Sequence, residues 1–159
     1  MSDDSTERDD GKPPKYWWQE EDVHPNATRV ARSMDQVLNE ADIDAIEDYH
    51  HETVSYYRSS DVPASREALK DDIEMFLSAF PDLEATIDDI FVDDEDPTIV
   101  TLRYSISGTH AGTFESIPPT DERIDAQGIA MAEFSGEKIS HFSLVFDNLG
   151  MLQDLGLIR

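Results

Sequence analysis

Arg123-Ile-Asp-Ala-Gln-Gly-Ile-Ala-Met-Ala-Glu-Phe134 and Lys138-Ile-Ser-His-Phe-Ser-Leu-Val-Phe146, separated by Ser135-Gly136-Glu137, form the stretch on which the fold turns. Two β-rich runs joined by three turn-forming residues predict an antiparallel hairpin. Successive strand side chains point to opposite faces, so Ala126, Gly128, Ala130, Ala132 and Phe134 share one surface. Phe142, Leu144 and Phe146 share the matching surface of the second run. Gln127, Ile129, Met131, Glu133 and His141 fall on the other parity.

Upstream of the hairpin the pattern stays strand-like. Ile99 to Ser107 alternates, with Val100, Leu102, Tyr104 and Ile106 on one face. Leu83 to Val92 reads as another strand, ended by Asp93-Asp-Glu-Asp-Pro97. Further back the period becomes helical. Leu69, Ile73, Phe76, Leu77 and Phe80 form one apolar stripe after a Ser65 cap, and Pro81 stops it. Val30, Met34, Val37 and Leu38 mark an earlier helix capped by Asn26; Asp42 caps a short one carrying Ile43, Ile46 and Tyr49. Thr53 to Tyr57 is a strand between helices, and Leu149 to Leu155 is a closing helical turn. Helices first and strands afterwards predict an α+β domain with helices on one face of an antiparallel sheet.

A chain of 159 residues suits one domain, with room for one core and one pocket. Residues 1–24 are polar, charged and proline-containing and read as a flexible acidic arm, with the domain proper spanning 25–159. Tyr16, Trp17 and Trp18 interrupt the arm; three adjacent aromatics are expected to pack on the domain or on a partner subunit.

Asp and Glu number 36 against 12 Lys and Arg, a formal net charge of -24, and the acids are spread along the chain. Such a surface repels itself in dilute buffer, while molar salt shortens the screening length to roughly 3 Å. We read this as adaptation to a high-salt cytoplasm. Nucleic acid is a poor partner, because phosphate binding needs clustered cations. The absence of cysteine removes disulfides, thiolate catalysis and Cys-ligated metals. No apolar run approaches the roughly 20 residues that span a bilayer, and the N-terminus lacks the apolar core of a secretory signal, so a cytoplasmic protein is expected.

Gly108-Thr-His-Ala-Gly-Thr-Phe-Glu-Ser-Ile-Pro-Pro-Thr120 resembles the signature of the SnoaL-like polyketide (ester) cyclases, in which a His-x-Gly segment runs into a Gly-[Ile/Met]-Pro-Pro-Thr loop. Glu137-Lys-Ile139 and Asp147-Asn-Leu-Gly-Met-Leu-Gln-Asp-Leu-Gly156 are similar to two further elements of that family, and Tyr49-His-His-Glu-Thr-Val54 is a fainter echo of a third. The resemblance covers roughly residues 26–158 and implies a cone-shaped, nuclear-transport-factor-like fold. In that fold three N-terminal helices pack on a curved antiparallel sheet enclosing a cavity, in a homodimer. It also implies aldol ring closure of polyketide esters without metal or cofactor. That chemistry needs a carboxylate whose pKa a dry pocket raises toward neutrality.

Carried over residue by residue, the resemblance places the family's acid–base aspartate at Leu144, its pocket histidine at Ala130 and a neighbouring glutamine at Gly128. A leucine cannot move a proton, so aldol chemistry through that position is not expected. His110 is a candidate base or polar anchor, or else a loop histidine bonded to backbone. Asp147 is a candidate acid–base group, or else the cap of the last helical turn. Tyr56, Ile117, Ala130, Phe142, Leu144 and Phe146 are the candidate ligand-binding residues. Adjacent His50 and His51 diverge and offer no metal-ligand spacing. Two functions remain open: an enzyme acting on a small hydrophobic carbonyl compound, and a protein that holds such a compound without turnover.

Overall fold

The computed structural model describes residues 23–58 and 63–159. The N-terminal arm with its Tyr16-Trp17-Trp18 cluster therefore lies outside the described residues, apart from its last two positions.

Helix α1 (Pro25–Met34) starts two residues earlier than the Asn26 cap implied. Pro25 takes the first helical position, where a missing N–H costs nothing. His24 becomes the cap, its Nδ1 accepting from the Asn26 amide. The Asn26 side chain is released to donate to the Pro97 carbonyl at 2.8 Å, pinning the helix to the turn between two strands. The helix continues as a wider turn over Asp35–Asn39, and the Asn39 amide then clasps the backbone of Ala85 in both directions. A tight turn at Ile43–Ala45, capped by Asp42, leads into the one-turn α2 (Ile46–Tyr49).

Strand β1 (His50–Arg58) follows, then α3 (Arg66–Ala79), capped by Ser65 as expected. Four strands come next: β2 (Glu84–Val92), β3 (Ile99–Thr109), β4 (Arg123–Ser135) and β5 (Lys138–Phe146). Helix α4 (Asn148–Asp154) closes the chain. The sheet order is β1-β5-β4-β3-β2. It is an open, mixed sheet: β1 pairs parallel with β5, whereas the other three pairings are antiparallel. The wholly antiparallel expectation is corrected here. β1 reaches β5 only after the entire meander has been laid down, so local alternation holds no record of its direction.

The β4–β5 register sets Ala130 opposite Leu144 and Ala132 opposite Phe142. The β4 residues Ala126, Ala130, Ala132 and Phe134 are buried, while Gln127, Ile129, Met131 and Glu133 are exposed, as the alternation predicted. The register shifts in three of the four pairings, including β1–β5 between His50 and Ser55. On β5 the register slips at Ser140, so that Ile139 and Phe142 both face inward despite opposite parity. On β2 the slip falls at Asp88, which is buried and accepts a hydrogen bond from the Ser105 hydroxyl. Extra residues of this kind bend a strand and sharpen its twist.

Candidate functional site

The helices cover one face of the bent sheet without filling the space beneath them. A cavity of about 470 Å³ remains, walled mainly by apolar side chains. α1 supplies Val30 and Met34, α3 supplies Leu69, Ile73 and Phe76, and the sheet supplies Leu102, Tyr104, Ala130, Phe142, Leu144 and Phe146. The short side chain of Ala130 on β4 contributes to the hollow, since it leaves depth that a Leu or Phe would occupy.

All six candidate ligand-binding residues line this cavity: Tyr56, Ile117, Ala130, Phe142, Leu144 and Phe146. The two candidate acid–base residues lie elsewhere. His110 is completely buried, stacked at 5.4 Å on Phe80, and is not part of the wall. Its Nδ1 accepts from the Thr120 amide and hydroxyl at 3.2 and 3.0 Å, which places the ring proton on Nε2. The backbone after Thr120 is drawn in as well, with Asp121 N–H donating to the His110 carbonyl and His110 N–H donating to the Glu122 carbonyl. The Ala111 and Gly112 amides both donate to the carbonyl of Ala79 at the end of α3. A Cβ at Gly112 would overlap the Ser78 carbonyl, so only glycine lets the loop sit there. The His-x-Gly and Pro-Pro-Thr segments thus clamp the two ends of one loop to each other and to α3. Asp147 is exposed and caps α4, its Oδ1 accepting from Gly150 N–H at 2.8 Å.

The charged side chains of the cavity, Arg58, Asp72 and Glu115, gather at one place. The Tyr56 hydroxyl donates to Asp72 Oδ2 at 3.1 Å, and Arg58 bridges Asp72 at 3.2 Å and Glu115 at 3.9 Å. Burial first, and then the neighbouring Asp72 charge, push the Tyr56 phenol well above its ordinary value, so it stays neutral. Alternation puts Tyr56 and Tyr57 on opposite faces without deciding which faces the cavity, and Asp72 and Arg58 escaped notice because a charge near a strand end or on a helix reads as solvated surface.

His50 is a second residue that sequence reasoning undervalued. It lines the cavity, edge-on to Phe142 with ring centres 5.5 Å apart. Its Nδ1 donates to the Ile46 carbonyl at 3.2 Å, leaving Nε2 unprotonated, buried and unpartnered among the described residues. Desolvation, outweighing the Ile46 hydrogen bond, lowers its pKa to about 4. His51 points away and meets the Ser135 carbonyl. Among the described residues no group of three His, Asp or Glu is placed to hold a metal ion, and no helix is long and apolar enough to cross a membrane.

Four helices on a five-stranded mixed sheet, with a cavity between the layers, define a nuclear-transport-factor-like α+β protein. Residues 28–155 match the SnoaL-like polyketide cyclase family, and the chain belongs to it. No curated protein sequence matches the chain. Among solved structures it is similar to IdmH from Streptomyces antibioticus, a proposed polyketide cyclase, at 22% identity and a TM-score of 0.72, covering 84% of this chain and 99% of that one. AclR from Streptomyces galilaeus, a proposed hydroxylase, aligns at 25% identity and a TM-score of 0.74, over 84% and 83% of the two chains. A SnoaL-like polyketide cyclase from Agrobacterium tumefaciens strain C58 aligns at 17% identity and 0.68, over 84% and 100%.

Proposed function

We propose that this chain takes a small hydrophobic carbonyl compound into its cavity and holds it there without the family's aldol chemistry. The observation that carries the reading is the paired wall of Ala130 and Leu144. The resemblance puts a histidine and the acid–base aspartate at these positions, and here they offer only alkyl surface. An apolar enclosure with a few polar anchors suits an uncharged ligand with one polar end. The test is mass spectrometry of small molecules retained after incubation with a cellular extract. Wild type retains an apolar carbonyl compound and Ala130→Trp, which fills the hollow, does not. Equal retention by both would overturn the reading.

One observation favours turnover instead: Asp72 is a titratable group at the cavity, bonded to Tyr56 and Arg58. An enzyme would change the mass of the retained compound with time, and Asp72→Asn would abolish the change. The related proposed cyclase and proposed hydroxylase named above mean that the fold leaves the reaction type open.

The outer sheet face supports a homodimer. Ile129 and Met131 on β4 and Val145 on the neighbouring β5 stand 54, 45 and 57% exposed, with Ile129 opposite Val145 in the register, apolar surface that a lone subunit would leave in water. The excess of acids supports residence in a high-salt cytoplasm.

A further inference from the structure

Tyr104 stands apart from the other polar residues at the cavity. It is only 4% exposed, lines the wall from β3, and has no hydrogen-bond partner among the described residues. Its oxygen is not closed off by protein atoms as the Nε2 atoms of His50 and His110 are. Among the described residues no protein group satisfies this hydroxyl, and it is reachable from the cavity, so a ligand placed there can bond it. The backbone makes room for it. Tyr104 pairs with Gly128 in the β3–β4 register, and a Cβ at 128 would overlap the phenol ring and its oxygen. Glycine in the middle of a strand marks a close approach, and here the approaching group is this phenol.

We propose that the Tyr104 hydroxyl donates the hydrogen bond that holds the carbonyl oxygen of a neutral ketone in the cavity, an inference that rests on the function proposed above. The alternatives fit less well. Tyr56 already gives its proton to Asp72 and can only accept. Among the described residues that line the cavity Arg58 is the one Lys or Arg, and it is already paired with Asp72 and Glu115, which makes it a poor partner for a carboxylate ligand. Burial alone pushes the Tyr104 phenol well above its ordinary value, which keeps the proton on the oxygen and available for donation. The Asp72 carboxylate bonded to Tyr56 already puts a negative charge at the cavity, so a further anion there would be opposed. A neutral carbonyl acceptor suits this corner.

The test uses 6-propionyl-2-dimethylaminonaphthalene, an uncharged aryl ketone whose emission moves to the red when its carbonyl accepts a hydrogen bond. 2-Ethylnaphthalene, which has no carbonyl, is the control. Tyr104→Phe is expected to bind the ketone roughly five- to tenfold more weakly than wild type, with bluer emission, and to bind the control equally well. Tyr104→Phe should also melt no lower than wild type, because the hydroxyl supports nothing in the empty protein. Equal ketone affinity and emission in both proteins would overturn the Tyr104 assignment while leaving the cavity reading intact. Failure of wild type to bind either compound would overturn both. Should the variant not fold, the infrared carbonyl stretch of the ketone bound to wild type decides: below its value in hexane supports the bond, and equal to it refutes the bond.

Discussion

The Tyr56 hydroxyl donates to the Asp72 carboxylate, tying the strand at one edge of the sheet to the middle of the covering helix. The same carboxylate receives Arg58, so one acidic group holds two β1 side chains against α3. Asp72→Ala would leave the Tyr56 proton without its acceptor and free Arg58 to swing outward. We expect a loss of about 1–2 kcal/mol in denaturant unfolding. Asp72→Asn, which still accepts through its amide oxygen, should lose less. Equal losses would show that charge, and not the hydrogen bond, matters here.

His50 gives the fold a pH dependence whose sign follows from its depressed pKa. The folded protein keeps the ring neutral down to about 4, whereas the unfolded chain protonates near the ordinary value of 6.5. Stability from this residue is therefore complete above 6.5 and drains away as the pH falls toward 4, by about 3 kcal/mol over the window. His50→Phe should flatten that part of a stability–pH curve measured in molar potassium chloride. A variant curve parallel to wild type would refute the assignment.

His110→Ala is expected to act on stability and leave ligand retention in the folded protein unchanged. It removes a completely buried ring stacked on Phe80 and the acceptor for Thr120, a loss of about 2–4 kcal/mol. Thermal melting with and without ligand separates the two effects. Retention lost at full stability would return His110 to the binding machinery.

The net charge of -24 predicts that potassium chloride raises the melting temperature steeply between millimolar and molar concentrations. Far-ultraviolet circular dichroism during a salt titration checks this. A melting temperature independent of salt would remove the high-salt interpretation.

Substituting Met131 or Ile129 by Lys should convert a dimer to monomers, read by sedimentation velocity. Both side chains sit in the exposed apolar area of the outer sheet face. Wild type sedimenting as a monomer would defeat the dimer proposal outright.

Much of this architecture was written in plain alternation. Ala130 and Leu144 could be placed facing inward because period-two patterning on β4 and β5 leaves little freedom of register. Four of the six wall residues, Ala130, Phe142, Leu144 and Phe146, followed from that parity and from the family resemblance. What stayed hidden had physical reasons. Nothing local distinguishes His50 from His51, since only the packing of β1 on β5 decides which ring is buried. His110 and Asp147 drew attention as titratable groups, and the structure places both in loop and helix-end hydrogen bonding away from the cavity. Tyr104 was assigned its face correctly, yet its meaning needed Gly128 beside it, a pairing that only the sheet register supplies.

The single surplus residue at Ser140 has a further consequence. It is the hinge of a phase change: Ile139 before it and Phe142 after it look the same way only because the count between them is off by one. Substitutions along the lining can exchange one ligand for another and leave the vessel standing. Excising Ser140 would turn one half of β5 inside out, setting either Ile139 or the trio Phe142, Leu144 and Phe146 against solvent. In this molecule the shape of the container is less negotiable than its contents.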